Sequence, residues 1–135
     1  MPEGHETIYA TTVVGIGSMV EDFLKMKMLI TFGEGAPTEL LDICVLHRPD
    51  VRTGGVRPGD VVLLDGREFE VFAVGDVADQ NLRALGHVSF KANGLRTAPL
   101  PGDICLGEVD LPLLRTGSTM RIVSGSFPVP TERTS

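Results

Sequence analysis

The stretch LLDICVLHRPD, residues 40–50, carries a run of apolar residues that ends on a histidine, His47. Across Ile43–His47 the side chains alternate, and both faces stay apolar up to the last position, which is typical of an interior strand. A neutral imidazole can attack phosphorus without an activating base, because its pKa lies near 6.5. The sequence therefore indicates His47 as a candidate nucleophile for phosphoryl transfer. A structural histidine at a strand end is the alternative.

The residues after His47 determine where its ring should lie. Arg48 precedes Pro49, which biases Arg48 to an extended conformation, so we expect the chain to leave the strand here. This predicts that His47 lies at a rim, with its ring able to reach solvent. Arg48 and the backbone N–H groups of Thr53–Gly55 are candidate partners for the oxygens of a phosphoryl group.

A second imidazole, His87 in GHVSFKA, is a candidate donor to a phosphate bound on His47. The alternative for His87 is a half-exposed position on the polar face of a strand. The three histidines lie on separate segments without metal-ligand spacing, so no metal site is expected. Cys44 and Cys105 sit within apolar runs and lack a C-x-x-C pattern, which predicts buried, reduced thiols.

Short strands are expected to position these residues, because 16 glycines and nine prolines divide the chain into short segments rich in Val, Ile, Phe and Thr. Asp65-Gly66 suits a two-residue type I′ turn and predicts a hairpin. The predicted strands are Thr7–Val14, Met28–Phe32, Ile43–His47, Asp60–Leu64, Glu68–Val74, His87–Ala92, Asp103–Leu106 and Thr119–Val123.

Two helices are predicted, one opening at Ser18 with a capping box to Glu21 and one over Asp76–Leu85, capped by Asp76 and stopped by Gly86. A single further turn is expected at Pro37–Leu41. Many short strands with a few short helices indicate a mainly-β fold, a small and partly open β-barrel. We expect one domain over residues 1–135, with its core at about 7–124 and a loose polar tail from about 125.

The charge and hydropathy of the chain exclude several classes of function. A formal net charge of -6 argues against a nucleic-acid ligand and fits a basic protein partner. The N-terminus lacks the features of a signal peptide, and no apolar run approaches the roughly 20 residues of a transmembrane helix. We therefore expect a cytoplasmic protein that does not insert into the membrane.

Two longer segments carry a family resemblance over about residues 8–123. MLITFGEGAPTELLDICVLHRPD and AVGDVADQNLRALGHVSFKANGL closely resemble the enzyme IIA component of the glucitol/sorbitol-specific sugar phosphotransferase system. Three stretches carry most of the resemblance. They are ITF-EGAP, the four residues Cys44–His47, in which a cysteine and a histidine flank two apolar residues, and the segment that ends in LGHV.

The resemblance implies a Greek-key barrel that acts as a phosphocarrier, with no metal or organic cofactor. In such a protein a histidine, here His47, accepts a phosphoryl group from the carrier protein HPr. It then passes the group to the IIB domain of the sugar permease. The supporting roles of His87 and Arg48 are inferred from the residues alone. The alternative function is a barrel that binds a small ligand or a regulatory partner and transfers no phosphate.

Overall fold

The computed structural model describes residues 6–125, which form eight strands, two α-helices and one 3-10 turn. The strands are β1 (Thr7–Ile16), β2 (Met28–Gly33), β3 (Val45–Val51), β4 (Val61–Leu64), β5 (Arg67–Val74), β6 (Val88–Lys91), β7 (Asp103–Leu106) and β8 (Thr119–Val123). The helices are α1 (Val20–Lys25) and α2 (Ala78–Leu85), and the 3-10 turn spans Thr38–Leu40. The mainly-β class with short helices is confirmed.

The strands form a closed barrel in the order β1-β3-β2-β6-β7-β5-β4-β8. The β2–β3 and β6–β7 pairs are parallel and the other pairs are antiparallel. β1 and β8 close the ring, with Ala10 opposite Arg121. The expected barrel was only partly open, and that detail is wrong because the first and last strands satisfy each other's backbone groups.

The hairpin predicted at Asp65-Gly66 is present between β4 and β5. Asp65 has φ +49° and Gly66 has φ +85°, so both turn residues are left-handed, as a type I′ turn requires. Leu64 then pairs with Arg67 across the turn.

The helix starts differ from the predicted ones. α1 begins after Met19 and α2 after Val77, and neither N-cap residue makes a side-chain capping bond, so Ser18 and Asp76 are not caps. Instead, the backbone N–H groups of Met19 and Val77 donate to carbonyls of distant loop residues, which fixes both starts by tertiary contacts. The predicted stop is confirmed, because Gly86 ends α2 with φ +69°.

β3 continues to Val51, beyond its predicted end at His47. On one side β3 pairs with β1, with Pro49 opposite Thr11. On the other side the pairing with β2 ends with Gly33 opposite His47. Pro49 has no N–H to donate, and it is accommodated because the ladder with β2 stops before it. The proline therefore does not end the strand.

α2 packs against the barrel interior and is held at two points. The buried hydroxyl of Tyr9 on β1 donates to the carbonyl oxygen of Leu82 at 3.2 Å. The carboxylate of Asp79, in the first turn of α2, accepts the backbone N–H of Gly55 at 2.8 Å. These contacts fix the helix relative to the barrel and so position Gly86, which follows its last turn.

Cys44 and Cys105 are free and buried, as predicted, and burial raises the pKa of both thiols. No helix among residues 6–125 combines the length and the apolar character that crossing a bilayer demands. His5 and the predicted tail after residue 125 lie outside the described residues. The single-domain interpretation stays a prediction.

Candidate functional site

His47 lies inside the barrel wall and has no exposed surface. It is the third residue of β3, opposite Val13 on β1 and Gly33 on β2. The prediction that its ring reaches solvent at a rim is wrong for two reasons. β3 continues past His47, and Gly86 at the end of α2 covers the ring.

Both ring nitrogens of His47 are hydrogen-bonded. Nε2 lies 2.7 Å from the carbonyl oxygen of Gly86, and Nδ1 lies 2.7 Å from the hydroxyl oxygen of Thr11. A carbonyl oxygen only accepts, so we assign the proton to Nε2; in the neutral ring Nδ1 then accepts from the Thr11 hydroxyl. Burial lowers the pKa of His47, and the bond to Gly86 opposes this shift only in part. The ring is therefore neutral near pH 7.

Thr11 is a site residue that the sequence interpretation missed. It lies opposite Pro49 on the neighbouring strand, which makes it a diagonal neighbour of His47 on the same face of the sheet. Tyr9, Thr11 and Val13 alternate onto the buried face of β1. A threonine between apolar positions on that face was the available signal, but nothing local links it to a histidine 36 residues away.

The Gly86 carbonyl accepts a second hydrogen bond. The buried hydroxyl of Thr31 on β2 donates to it at 2.9 Å. A Cβ atom on Gly86 would lie 2.7 Å from the backbone nitrogen of Gly33 and 2.9 Å from Nε2 of His47. Glycine is therefore required for α2 to end this close to the imidazole.

A cavity of about 280 Å³ lies beside His47. His47, Gly33 and Gly86 line it, whereas Thr11 does not, so the cavity lies on the side of His47 where Nε2 bonds to Gly86. Phe32 and Leu85 supply apolar walls, and Leu85 is half-exposed. The cavity has several times the roughly 30 Å³ that one water molecule occupies in the liquid, so a phosphoryl group fits within it.

Arg48 is close to the site in sequence but is engaged elsewhere. Its Nε and Nη2 atoms donate to the two carboxylate oxygens of Glu34 at 2.8 and 2.7 Å. This bidentate bond lowers the pKa of Glu34. Arg48 is exposed and is not among the residues that line the cavity.

His87 does not reach the cavity either. Its Nδ1 lies 3.0 Å from the carbonyl oxygen of Thr31, to which it donates, and its ring packs on Phe32 with 4.7 Å between centroids. His87 therefore packs against Phe32, a residue that lines the cavity, and does not line the cavity itself. Two amides of the Thr53–Gly55 segment are also engaged, since Gly54 donates to the Ile8 carbonyl and Gly55 to Asp79.

Within residues 6–125, no three His, Cys, Asp or Glu side chains are grouped so as to hold a metal ion. A larger cavity of about 450 Å³ lies elsewhere on the surface, near Pro58, Ala73 and Arg96. His47 does not line it.

Known proteins resemble this chain in sequence and in fold. The family model described as PTS system glucitol/sorbitol-specific IIA component matches residues 8–121. Proteins named PTS system glucitol/sorbitol-specific EIIA component, from Shigella flexneri and from Escherichia coli (strain K12), are each 43% identical to this chain over 97 residues. The match covers 72% of this chain and 79% of each relative.

A solved structure of the PTS system IIA component from Enterococcus faecalis V583 superposes with a TM-score of 0.76 at 24% identity, covering 82% of this chain and 96% of that one. This likeness supports the fold alone, whereas the sequence matches extend over most of the chain. The chain belongs to the family of glucitol/sorbitol-specific IIA components of the sugar phosphotransferase system.

Proposed function

We propose that this protein is a cytoplasmic phosphocarrier that uses His47 as its phosphoryl acceptor. HPr supplies the phosphoryl group, and the IIB domain of a glucitol/sorbitol-type permease, which works with the IIC domain, receives it. The observation that carries the proposal is a neutral imidazole that lines a cavity, with Nε2 bonded to Gly86 of the same lining, in a chain of this family. The net charge of -6 suits a donor with a basic docking face.

The reacting atom is Nε2 of His47. The reactive form of the ring carries its proton on Nδ1 and leaves a lone pair on Nε2. That pair forms the new bond to phosphorus as the phosphorus–nitrogen bond in the donor breaks, and the electron pair of the broken bond returns to the donor imidazole. The Nδ1 proton stays in place, and the Thr11 hydroxyl accepts it in a hydrogen bond. Bonds of the same kind break and form, so positioning and charge stabilisation carry most of the catalysis.

The ring must leave its resting arrangement before it reacts, because Nε2 now donates to Gly86. One feature keeps the cost of this change low. The Thr11 hydroxyl can act as a donor or as an acceptor, so it satisfies Nδ1 in either tautomer.

We infer that the docking partner displaces the Leu85–Gly86 segment. Leu85 is half-exposed at the edge of the cavity, where a partner surface meets it first, and Gly86 joins the helix to β6 through a left-handed residue. A carrier phosphohistidine then gains access to Nε2. A ring sealed by a short segment is protected from water between transfers.

Incubation with phosphoenolpyruvate, enzyme I and HPr tests the proposal. We expect one acid-labile phosphate by intact mass, located on His47 by fragmentation of the wild-type protein. His47→Gln should take up no phosphate while keeping its circular dichroism spectrum, and His87→Gln should still be labelled. An unlabelled wild type with an active donor, or a label on another residue, would refute the proposal.

A further inference from the structure

A phosphoryl group on His47 would need a cation, because at neutral pH it carries about -1.5 to -2 charges and three acceptor oxygens. Arg48 is the nearest arginine in sequence, but its guanidinium is engaged by Glu34 at 2.8 and 2.7 Å. His87 donates to Thr31 and stays outside the cavity. The supporting charge must therefore come from another residue.

The position of Arg52 suits it to supply the cation that a phosphoryl group on His47 needs. It follows the last residue of β3, is exposed, and lines the same cavity as His47. It makes no ion pair and no side-chain hydrogen bond with another described residue. A free guanidinium at the edge of a cavity is well suited to bidentate binding of phosphate oxygens.

The charge of Arg52 also acts on Tyr9, whose ring packs against His47. Burial raises the pKa of Tyr9 to about 12, and the positive charge of Arg52 acts against that rise. The Tyr9 ring in turn lies edge-on to the His47 ring, with 6.2 Å between centroids. The phenol on which the charge of Arg52 acts therefore belongs to a direct neighbour of His47.

Among the charged groups around the cavity, Arg52 is the one whose positive charge is not offset. Among the residues that line it, Glu34 and Arg52 carry formal charges, and His47 is neutral. Arg48 offsets Glu34 from outside the lining. With that pair neutralised, the lining of the cavity carries one net positive charge, that of Arg52.

We propose that Arg52 binds the phosphoryl group carried by His47 and stabilises it during transfer. Arg48 has a different task, which is to neutralise Glu34, a carboxylate that would otherwise repel the anion. This assignment rests on the proposed function, since it assumes a phosphoryl group on Nε2.

Single-turnover transfer from phospho-HPr tests the assignment in wild type, Arg52→Gln, Arg52→Lys and the control Arg57→Gln. Arg57 is an exposed arginine in the same β3–β4 connection that lines a separate cavity with Asp60, so its loss removes an equal charge at a different place. Each variant is also treated with phosphoramidate, a small phosphoryl donor that has no protein surface with which to dock.

We expect Arg52→Gln to lower the transfer rate constant at saturating donor by about 10- to 100-fold with both donors, which is the usual worth of a hydrogen bond to a charged group. Arg52→Lys should recover part of the rate, because it restores the charge without the bidentate geometry. Arg57→Gln should stay within about threefold of wild type, as expected when a surface charge lies away from the reaction.

Each other outcome overturns the assignment. If Arg52→Gln slows transfer from phospho-HPr but not from phosphoramidate, Arg52 contacts the partner and not the phosphoryl group. If Arg52→Gln matches wild type with both donors, the assignment fails while the phosphocarrier function stands. If the wild type takes no phosphate from an active donor, both fail together.

Discussion

Nε2 of His47 lies 2.7 Å from the carbonyl oxygen of Gly86, a contact that joins β3 to the end of α2 across 39 residues of sequence. Because a carbonyl oxygen cannot donate, this contact holds the proton on Nε2. In the proposed function this is the resting state of the site. Two hydroxyls complete it, since Thr11 bonds to Nδ1 and Thr31 bonds to the same Gly86 carbonyl.

Replacing Thr11 tests whether its hydroxyl holds the ring. Thr11→Val keeps the shape but leaves Nδ1 of His47 without a partner, which should cost about 1–3 kcal/mol of unfolding free energy. Transfer should slow by roughly 10-fold, because a hydrogen bond from Nδ1–H strengthens as the ring gains positive charge. Denaturant unfolding and single-turnover labelling measure the two effects. Thr11→Ser should behave like wild type, and wild-type behaviour of the valine variant would show that the hydroxyl has no role.

Gly86→Ala tests the close approach of α2 to the imidazole. The added methyl group would meet Gly33 nitrogen at 2.7 Å and His47 Nε2 at 2.9 Å, so we expect a loss of about 2–4 kcal/mol, consistent with overpacking and backbone strain combined. Gly94→Ala is the matched control, since Gly94 has a similar φ of +71° but its nearest contact, the Cβ of Glu108, is at 3.4 Å. Equal losses in urea unfolding for the two variants would argue against the contact.

The lowered pKa of His47 predicts a pH-dependent stability. The unfolded chain binds a proton at this histidine near pH 6.5, whereas the folded protein resists protonation until a lower pH. Acidification through this range should therefore favour unfolding. The unfolding free energy of wild type minus that of His47→Gln should be flat above about pH 7.5 and should fall below about pH 6.5. A difference that rises on acidification would contradict the assigned burial of a neutral ring.

Asp79 should matter more for anchoring α2 than its surface ion pair suggests. Its carboxylate accepts the N–H groups of Gly55 at 2.8 Å and Val56 at 3.0 Å, in addition to Arg83 at 3.0 Å. Asp79→Ala should cost about 1–3 kcal/mol and speed amide hydrogen exchange at Gly55 and Val56. Arg83→Ala, which leaves both backbone bonds intact, should cost less than about 1 kcal/mol. Similar costs would show that the ion pair alone matters.

Much of the fold was predictable because its signals are local. The segments between glycines and prolines that are rich in Val, Ile, Phe and Thr overlap all eight strands, and Asp65-Gly66 specified the β4–β5 hairpin through its positive φ angles. The closure of the barrel was not predictable in this way, since it depends on β1 meeting β8 more than 100 residues later. The starts of α1 and α2 were misplaced for a related reason, because distant carbonyls and not local side chains fix them.

The candidate site was predictable only in the residue on which the proposal rests, His47. His47 stands out in sequence, but its cover comes from Gly86 and its hydrogen-bond partner Thr11 comes from another strand. Arg48 was favoured because it is adjacent, yet alternation along β3 turns its side chain away from the cavity and towards Glu34. Contacts at separations of 36 and 39 residues leave no periodic trace in the sequence.

Nuclear magnetic resonance of the phosphorylated protein, labelled with ¹⁵N in its histidine rings, identifies the nitrogen that carries phosphorus. After transfer from phospho-HPr we expect a one-bond ³¹P–¹⁵N coupling to Nε2 of His47, with Nδ1 protonated. A coupling to Nδ1 of His47, or to a ring nitrogen of any other histidine, would contradict a mechanism in which the nitrogen released from Gly86 accepts the phosphoryl group.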